Sequence, residues 1–415
     1  MVCRIFVQVW FLSVFLILSS FSNSSVVFAA GKDLLSLEEL IGKALNNNTN
    51  VKSQSTSTEA FLQDIEAERK GWYPALNVQS SLDSSSTGGS EISIDQPLWS
   101  PSIQAAISLS EAELSEQMAK EDEVKFALVQ DIVDVYFEVL KLQERHQIAL
   151  DSESWHSTFL AQINRLKKAE ISVRSDVLLV DSRYRQAQRE AILARQELRS
   201  KLAELERLVN LKVPAVSAGF TCTNVSTSLG VFEGVAIANN PGVKRAGATV
   251  FKLREFAEQE RSNLYPRLSV GVRTRDDGDG FRDATAFLSF SYSTGSGLAS
   301  LDKAEAANVR LSAAEFELDS ERSAIKLKVA QLMDSYLSYG SQMDTLVGLK
   351  KAAEDYVQST KSQFDVGKRS WMDLLNSNRE KKETLYTYVD SFYGFKKVGR
   401  QINIMMTWPN YKECY

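Results

Sequence analysis

Two histidines, His146 and His156, and three cysteines, Cys3, Cys222 and Cys414, are this chain's whole supply of imidazoles and thiols. The histidines stand ten positions apart, which fits neither the i,i+3 nor the i,i+4 spacing that sets two imidazoles on one helix face for a metal. His146 reads as a polar intruder in a helical seam. No His-based triad, zinc spacing or phosphate-cradling glycine loop occurs, so neither an enzyme nor a cofactor is expected. The chemistry that remains is electrostatic and solvational. Charged side chains stand at turns between long helices, and short segments alternate apolar with polar residues.

The compartment is legible first. Residues 1–29 carry one basic residue, Arg4, an apolar run from Ile5 to Leu18, a polar stretch around Ser19 to Ser25, and Val27-Phe28-Ala29 before Ala30. This is the layout of a secretory signal peptide cleaved after Ala29; an uncleaved anchor helix is the alternative. Cys3 would leave with it, and no cysteine stands at the cleavage site to take a lipid anchor. Cys222 and Cys414 would remain in an oxidising compartment, and the sequence leaves open whether they pair or stay free. The mature chain has 47 basic against 53 acidic side chains, a net charge of −6 with no nucleic-acid footprint. Seven prolines in all, and no linker rich in Pro, Gly or Ser, point to one elongated unit. Beyond Ala29 no stretch of about 18 residues is free of charge, so passage through a membrane would have to use strands.

The chain is internally duplicated. At an offset of 192, residues 42–78 align without a gap on 234–270: Asn47-Asn48 meets Asn239-Asn240, Glu68-Arg69 meets Glu260-Arg261, and Tyr73-Pro74 meets Tyr265-Pro266. A period this long means a duplicated structural half, since solenoid repeats are far shorter. The first half spans 30–212: a helix over Leu37–Lys70, a β-hairpin at 75–99, a long helix at 101–170 and a return helix at 173–210. A connector covers 213–230. The second half spans 231–408, with a helix over Phe232–Asn263, a hairpin at 267–293, a long helix at 298–364 and a return helix at 370–407; 409–415 is a tail. Each opening helix is expected to stop at its Tyr-Pro pair, because the residue before proline is pushed out of the helical region.

In the hairpins, Leu76, Val78, Val270, Val272, Leu288 and Phe290 alternate with polar residues such as Asn77, Gln79, Arg273 and Ser289. A membrane barrel with lipid outside and water inside has this pattern, and so does a soluble hairpin packed on a core. Gln96-Pro97-Leu98-Trp99 and Tyr292 mark the two junctions where strand gives way to helix. From Pro101 to about Glu170 there is no proline or glycine, and at ~1.5 Å per residue such a helix spans roughly 105 Å. Leu128, Ile132, Val135, Val139, Leu142 and Ala149 keep the 3-4 spacing of a coiled-coil seam. The fold class is therefore mainly α, long antiparallel coiled-coil helices with a β part that is either a share of a β-barrel or a pair of soluble hairpins. Four strands cannot close a barrel alone, and open edges are not tolerated in lipid, so a chain that spans a membrane must oligomerise.

The duplicated halves, the Tyr-Pro pairs, Gln96-Pro97-Leu98-Trp99 and Val366-Gly367-Lys368-Arg369-Ser370-Trp371-Met372-Asp373-Leu374-Leu375 together resemble the TolC family of outer-membrane export channels. The resemblance implies a homotrimer whose twelve-stranded barrel sits in outer-membrane lipid and whose helices form an α-barrel across the periplasm. It also implies partners: a periplasmic adaptor (membrane fusion) protein and an inner-membrane pump, ABC or other, in drug efflux or type I secretion. Gly367-Lys368-Arg369-Ser370-Trp371 and Tyr292-Ser293-Thr294-Gly295-Ser296-Gly297 look most like the adhesin-exporting branch. A periplasmic coiled-coil scaffold is the competing function.

The resemblance also assigns a periplasmic gate. Arg369 matches the family's gate arginine, Asp176 its acidic partner, and Asp373 the first acidic residue of the constriction, where a ring of copies would attract cations. Aligning the halves sets Asp176 opposite Asp373 and Ser175 opposite Met372. Three positions depart from the pattern: Asn376 replaces a second acid, Phe364 replaces a tyrosine expected to bond at Ser175, and Glu170 holds the turn position that Gly367 holds in the second half. The plain alternative is a set of surface ion pairs on solvated helices.

Overall fold

A computed structural model describes residues 35–81, 89–219, 221, 223–225, 228–276, 280 and 283–413. The expected signal peptide, Cys3, Cys222 and Cys414 lie outside the described residues. The first half comprises α1 (Leu37–Asn47), α2 (Thr49–Arg69), β1 (Ala75–Ser81), β2 (Gly89–Trp99), α3 (Pro101–Lys168) and α4 (Arg174–Val209). The second repeats it with α5 (Leu229–Asn239), α6 (Pro241–Ser262), β3 (Arg267–Asp276), β4 (Thr285–Ser291), α7 (Ala299–Asp365) and α8 (Trp371–Thr407).

Where the sequence reads one opening helix per half, the structure has two. Asn48 (φ −63°, ψ 128°) and Asn240 (φ −62°, ψ 122°), equivalent in the duplication, leave the helical region and cap the helix that follows. The Asn48 side-chain oxygen accepts from the Asn50 and Val51 N–H groups at 2.9 and 3.4 Å, and that of Asn240 from Val243 at 3.1 Å. Asparagine competes with the helix backbone for such bonds and so favours caps over interiors. Each break also docks on its own return helix: Asn48 Nδ2 donates to the Leu208 carbonyl at 2.9 Å, and Asn239 Nδ2 to that of Met406 at 2.6 Å.

The four strands form one antiparallel sheet in the order β1-β2-β3-β4. Helix order follows strand order. Near the sheet α3 lies between α2 and α6 with α7 beyond α6; farther away α3 lies between α4 and α8 with α7 beyond α8. Polar ties fix the upper layer: Thr58 donates to Glu121 at 2.6 Å across α2 and α3, and Thr249 and Lys252 both donate to Glu116 at 2.6 Å across α6 and α3. The molecule is thus one sheet continued by one row of helices, with two open sides, β1 with α2 and α4 on one, β4 with α7 on the other.

Burial reflects that order. At 68 residues α3 runs about 102 Å at ~1.5 Å per residue. All six residues of its expected seam are buried, but so is an adjacent row of Val129, Val133, Tyr136, Phe137 and Leu140. The seam is wider than a simple coiled coil because α3 has a helix on each flank. By contrast, α7 is an edge. Opposite its buried row it exposes Val309, Phe316, Leu327 and Leu337, with Phe316 76% accessible.

A belt crosses the midsection. Tyr136 donates to the Ser217 carbonyl at 2.6 Å, and Tyr336 accepts from the Val225 N–H at 2.9 Å, so one tyrosine from each long helix holds the connector. Gly399 on α8 lies against the Thr223 carbonyl, where a Cβ would collide. Beside it Arg400, fully buried, donates to the Tyr411 carbonyl at 2.7 Å and pairs with Glu38 at 3.5 Å.

Candidate functional site

The sheet's two faces separate cleanly. Register places Leu76 beside Ile94, Ile94 beside Val272, and Val270 beside Leu288, so the apolar residues of all four strands share one face, Phe287 excepted. That face is open: Val78 is 68% accessible, Leu288 67% and Phe290 70%. A soluble hairpin would bury this surface on a core, and this one does not. The other face carries Asn77, Glu91, Ser93, Asp95, Arg273, Arg275 and Ser289. Lipid outside and water inside is the solvation such a sheet demands.

At the helical end of the sheet, exposed Tyr73, Trp99, Tyr265 and Tyr292 flank the four strands, one to each. Aromatic rings gather at membrane–water boundaries because one edge is apolar and the other polar. The sequence marks only Trp99 and Tyr292 as junction aromatics; the tyrosines of the Tyr-Pro pairs, helix stops by sequence, stand exposed at the same boundary. Gln96 closes the junction by donating to the Trp72 carbonyl at 2.6 Å. Pro97 sits where pairing with β1 has ended at Asp95 and the β3 register shifts, so its missing N–H falls where the ladder is already broken. Leu98 is exposed beside Trp99.

At the far end, both helix–helix turns close the same way. After α3, the Ile171 N–H bonds back to the Leu166 carbonyl at 3.0 Å; after α7, the Lys368 N–H bonds to that of Gln363 at 2.8 Å. Glu170 (φ 59°) and Gly367 (φ 75°) take the left-handed position that such a cap requires. Asp176 and Asp373 then occupy the third position of α4 and α8. The Asp176 carboxylate accepts from the Ser172 hydroxyl at 2.9 Å and the Val173 N–H at 3.3 Å, while that of Asp373 accepts from the Ser370 hydroxyl at 2.8 Å and its N–H at 3.2 Å. These Ser370 bonds, with lesser help from Arg369, hold the Asp373 carboxyl below its ordinary value. Like-charge repulsion in a ring of copies would act in the opposite direction.

Within one chain Asp176 and Arg369 are not bridged; Arg369 Nε donates instead to Gln363 at 3.2 Å. Ser175 and Asn376 are exposed, Asn376 on the rim of a cleft with Arg183, Arg379 and Lys382. Phe364 turns inward, edge-on to Phe159 with ring centroids 6.1 Å apart, in a tip core with Ile163, Val180, Leu374 and Leu375. A tyrosine hydroxyl there would need a partner, whereas a phenyl ring does not.

Two residues of the tip escaped the sequence reading. His156, not His146, is the buried histidine, only 9% accessible, with Nδ1 donating to the Ser152 carbonyl at 2.7 Å. The spacing of Ser152, His156, Phe159 and Ile163, which prolongs the α3 seam past Ala149, was the available signal. Lys382 on α8 meets Glu190 on α4 at 2.6 Å and locks the two hairpins of one chain together. Burial pushes the His156 imidazole below its ordinary value, against the pull of the Ser152 carbonyl, with Lys382 lowering it further. The neutral form is favoured in the folded chain, so the stability it contributes is present above about pH 6.5 and is lost as pH falls through the folded value. Amide protection around Phe159 and Leu374 should therefore weaken between roughly pH 7 and 5, and His156→Gln should flatten that dependence. An identical pH profile in the variant would remove the histidine from this role.

Known proteins share this arrangement. The chain superposes on the outer-membrane channel OprN with a TM-score of 0.77 at 14% identity, covering 91% of each chain. On the outer-membrane protein VceC of Vibrio cholerae the score is 0.74 at 10% identity, covering 89% of this chain and 95% of VceC. The alkaline protease secretion protein AprF of Pseudomonas aeruginosa is 22% identical over 307 residues, 70% of this chain. The chain spans 63% of that relative's length. The family described as outer membrane efflux protein matches residues 40–211 and 234–390, one block in each half, and the chain belongs to that family.

Proposed function

We propose that this chain is the outer-membrane channel of a tripartite export system. Three copies close one twelve-stranded barrel, their helices continue it as a periplasmic tunnel, and a periplasmic adaptor and an inner-membrane pump feed it. The observation that carries the reading is the shared pair of open sides: the sheet ends at β1 and β4 where the helical layer ends at α2 with α4, and at α7. Joining β4 and α7 of one copy to β1, α2 and α4 of the next pairs every strand edge and covers the exposed Phe316 row. Two copies would give eight strands, whose interior side chains fill; three leave a bore. A periplasmic scaffold has no use for an apolar sheet face open to its surroundings. Protein cargo is favoured over small molecules by AprF's name as a protease secretion protein and by the adhesin-branch motifs. Heat-modifiable trimers in the outer-membrane fraction are the expected result; a soluble periplasmic protein would return the scaffold.

The same joining brings the turn holding Asp176 beside the neighbouring copy's turn holding Arg369, so the gate bridge forms between copies. One exposed bridge contributes at most about 1 kcal/mol, but three act on one closed state, and ~3 kcal/mol shifts an equilibrium roughly a hundredfold. Arg369→Ser and Asp176→Ala should each raise single-channel conductance several-fold, and the double variant should add little because both remove one interaction. Asp176→Ala also loses its turn cap, so Arg369→Ser is the cleaner of the two. Unchanged conductance in Arg369→Ser would return these residues to the solvated surface.

A further inference from the structure

The sheet's polar face holds an arrangement that neither the gate nor the lipid face explains. Gly271 is buried in mid-strand, and a Cβ there would meet Phe287 Cζ at 2.6 Å, the Ile94 carbonyl oxygen at 2.7 Å and Asp95 Oδ1 at 2.9 Å. Phe287, the cross-strand partner of Gly271, can therefore lie down on the glycine instead of standing into the water. Its ring forms a floor for Arg273, whose guanidinium carbon lies 5.1 Å from the ring centroid. Arg275, one layer outward, is answered by Glu91 at 2.9 Å, and Asp95, one layer inward, accepts from Asn77 and Ser93 at 3.1 Å each. Arg267 lies on the same face by strand parity, so the described strands set three arginines against two carboxylates there.

We propose that Arg273, held over Phe287 by the vacancy at Gly271, forms a cationic collar inside the barrel that binds carboxylate-bearing cargo on its way out. The inference rests on the channel reading, because only closure of the sheet turns this face toward a bore and sets several copies of Arg273 at one height. A guanidinium held over an aromatic face by cation–π attraction spends none of its N–H donors on the ring, so they stay available to a passing carboxylate. In a narrow, low-dielectric wall such a ring raises the local concentration of anions. The acidic turns at the tunnel tip and the cationic collar at the barrel would then select opposite signs at opposite ends of one conduit.

The test is block of the reconstituted wild-type channel in a planar bilayer by poly-L-glutamate added from the barrel side, with citrate as a second probe. Arg273→Gln should raise the half-blocking concentration about tenfold, Arg273→Lys should restore most of the block, and Phe287→Leu should fall between. Polyglutamate block that citrate does not reproduce identifies an acidic polypeptide as the ligand; equal weakening for both probes identifies small carboxylates. A conducting wild type blocked no better than Arg273→Gln overturns the collar alone. A wild type that forms no pore removes the channel reading and the collar with it.

Discussion

Arginine at Leu288 or Val270 should nearly abolish the outer-membrane form of this protein. The two side chains are register partners on the open apolar face, and each arginine near the bilayer midplane costs about 2–4 kcal/mol, repeated in every copy of the proposed barrel. Ser289, next to Leu288 but on the polar face, should accept a charge with little loss. The measurement is the yield of heat-modifiable oligomer in the outer-membrane fraction. Equal yields for Leu288→Arg and Ser289→Arg would mean that the faces are assigned wrongly, and with them the direction of the bore.

Gly399→Val should be the most damaging substitution in the helical part. Glycine inside a helix usually costs about 0.5–1 kcal/mol relative to alanine, so its presence in α8 asks for a reason. The reason is the connector: a side chain at 399 would drive into the Thr223 carbonyl and approach the Tyr336 ring. The connector cannot give way without breaking the Tyr336–Val225 and Tyr136–Ser217 bonds. Overpacking of roughly 1–3 kcal/mol with about 1 kcal/mol for each lost bond predicts a loss of ~3 kcal/mol or more. Gly348→Ala in α7, where a Cβ meets nothing within 4 Å, should instead stabilise by up to about 1 kcal/mol. Thermal unfolding of the two variants decides; similar melting temperatures would show that the connector is not fixed.

Much of this architecture was readable because periodicity and duplication are properties of the chain itself. Alternation placed Val270 and Leu288 on one face, and the 3-4 row placed Ile132 and Val139 in the core. What stayed hidden depends on neighbours distant in sequence. Asn48 interrupts its helix because the Leu208 carbonyl and a capping site are both within reach, and the run of asparagines at 46–48 does not announce which of them will break the helix. Phe364 could be recognised as a departure from the family, but only the position of Phe159 shows that it belongs to the tip core. His156 continues the α3 row beyond Ala149, but a polar pair, Ser152 and His156, carries that step and breaks the apolar pattern that marks a seam. The pairing of Phe287 with Arg273 was invisible for a similar reason: Gly271, which makes room for the Phe287 ring, is on the strand opposite it.

The open sides of the single chain also govern how damage is inherited. A copy whose α7 edge is spoiled but whose β1, α2 and α4 edge is sound still takes a place in the ring and leaves a seam that its neighbour cannot mend. In a cell expressing sound and spoiled alleles equally, random assembly of the proposed three-copy ring leaves only about one ring in eight free of the defect. Edge mutations such as Phe316→Glu should therefore behave as dominant, whereas substitutions that unfold the chain before it can assemble, Gly399→Val among them, should be recessive.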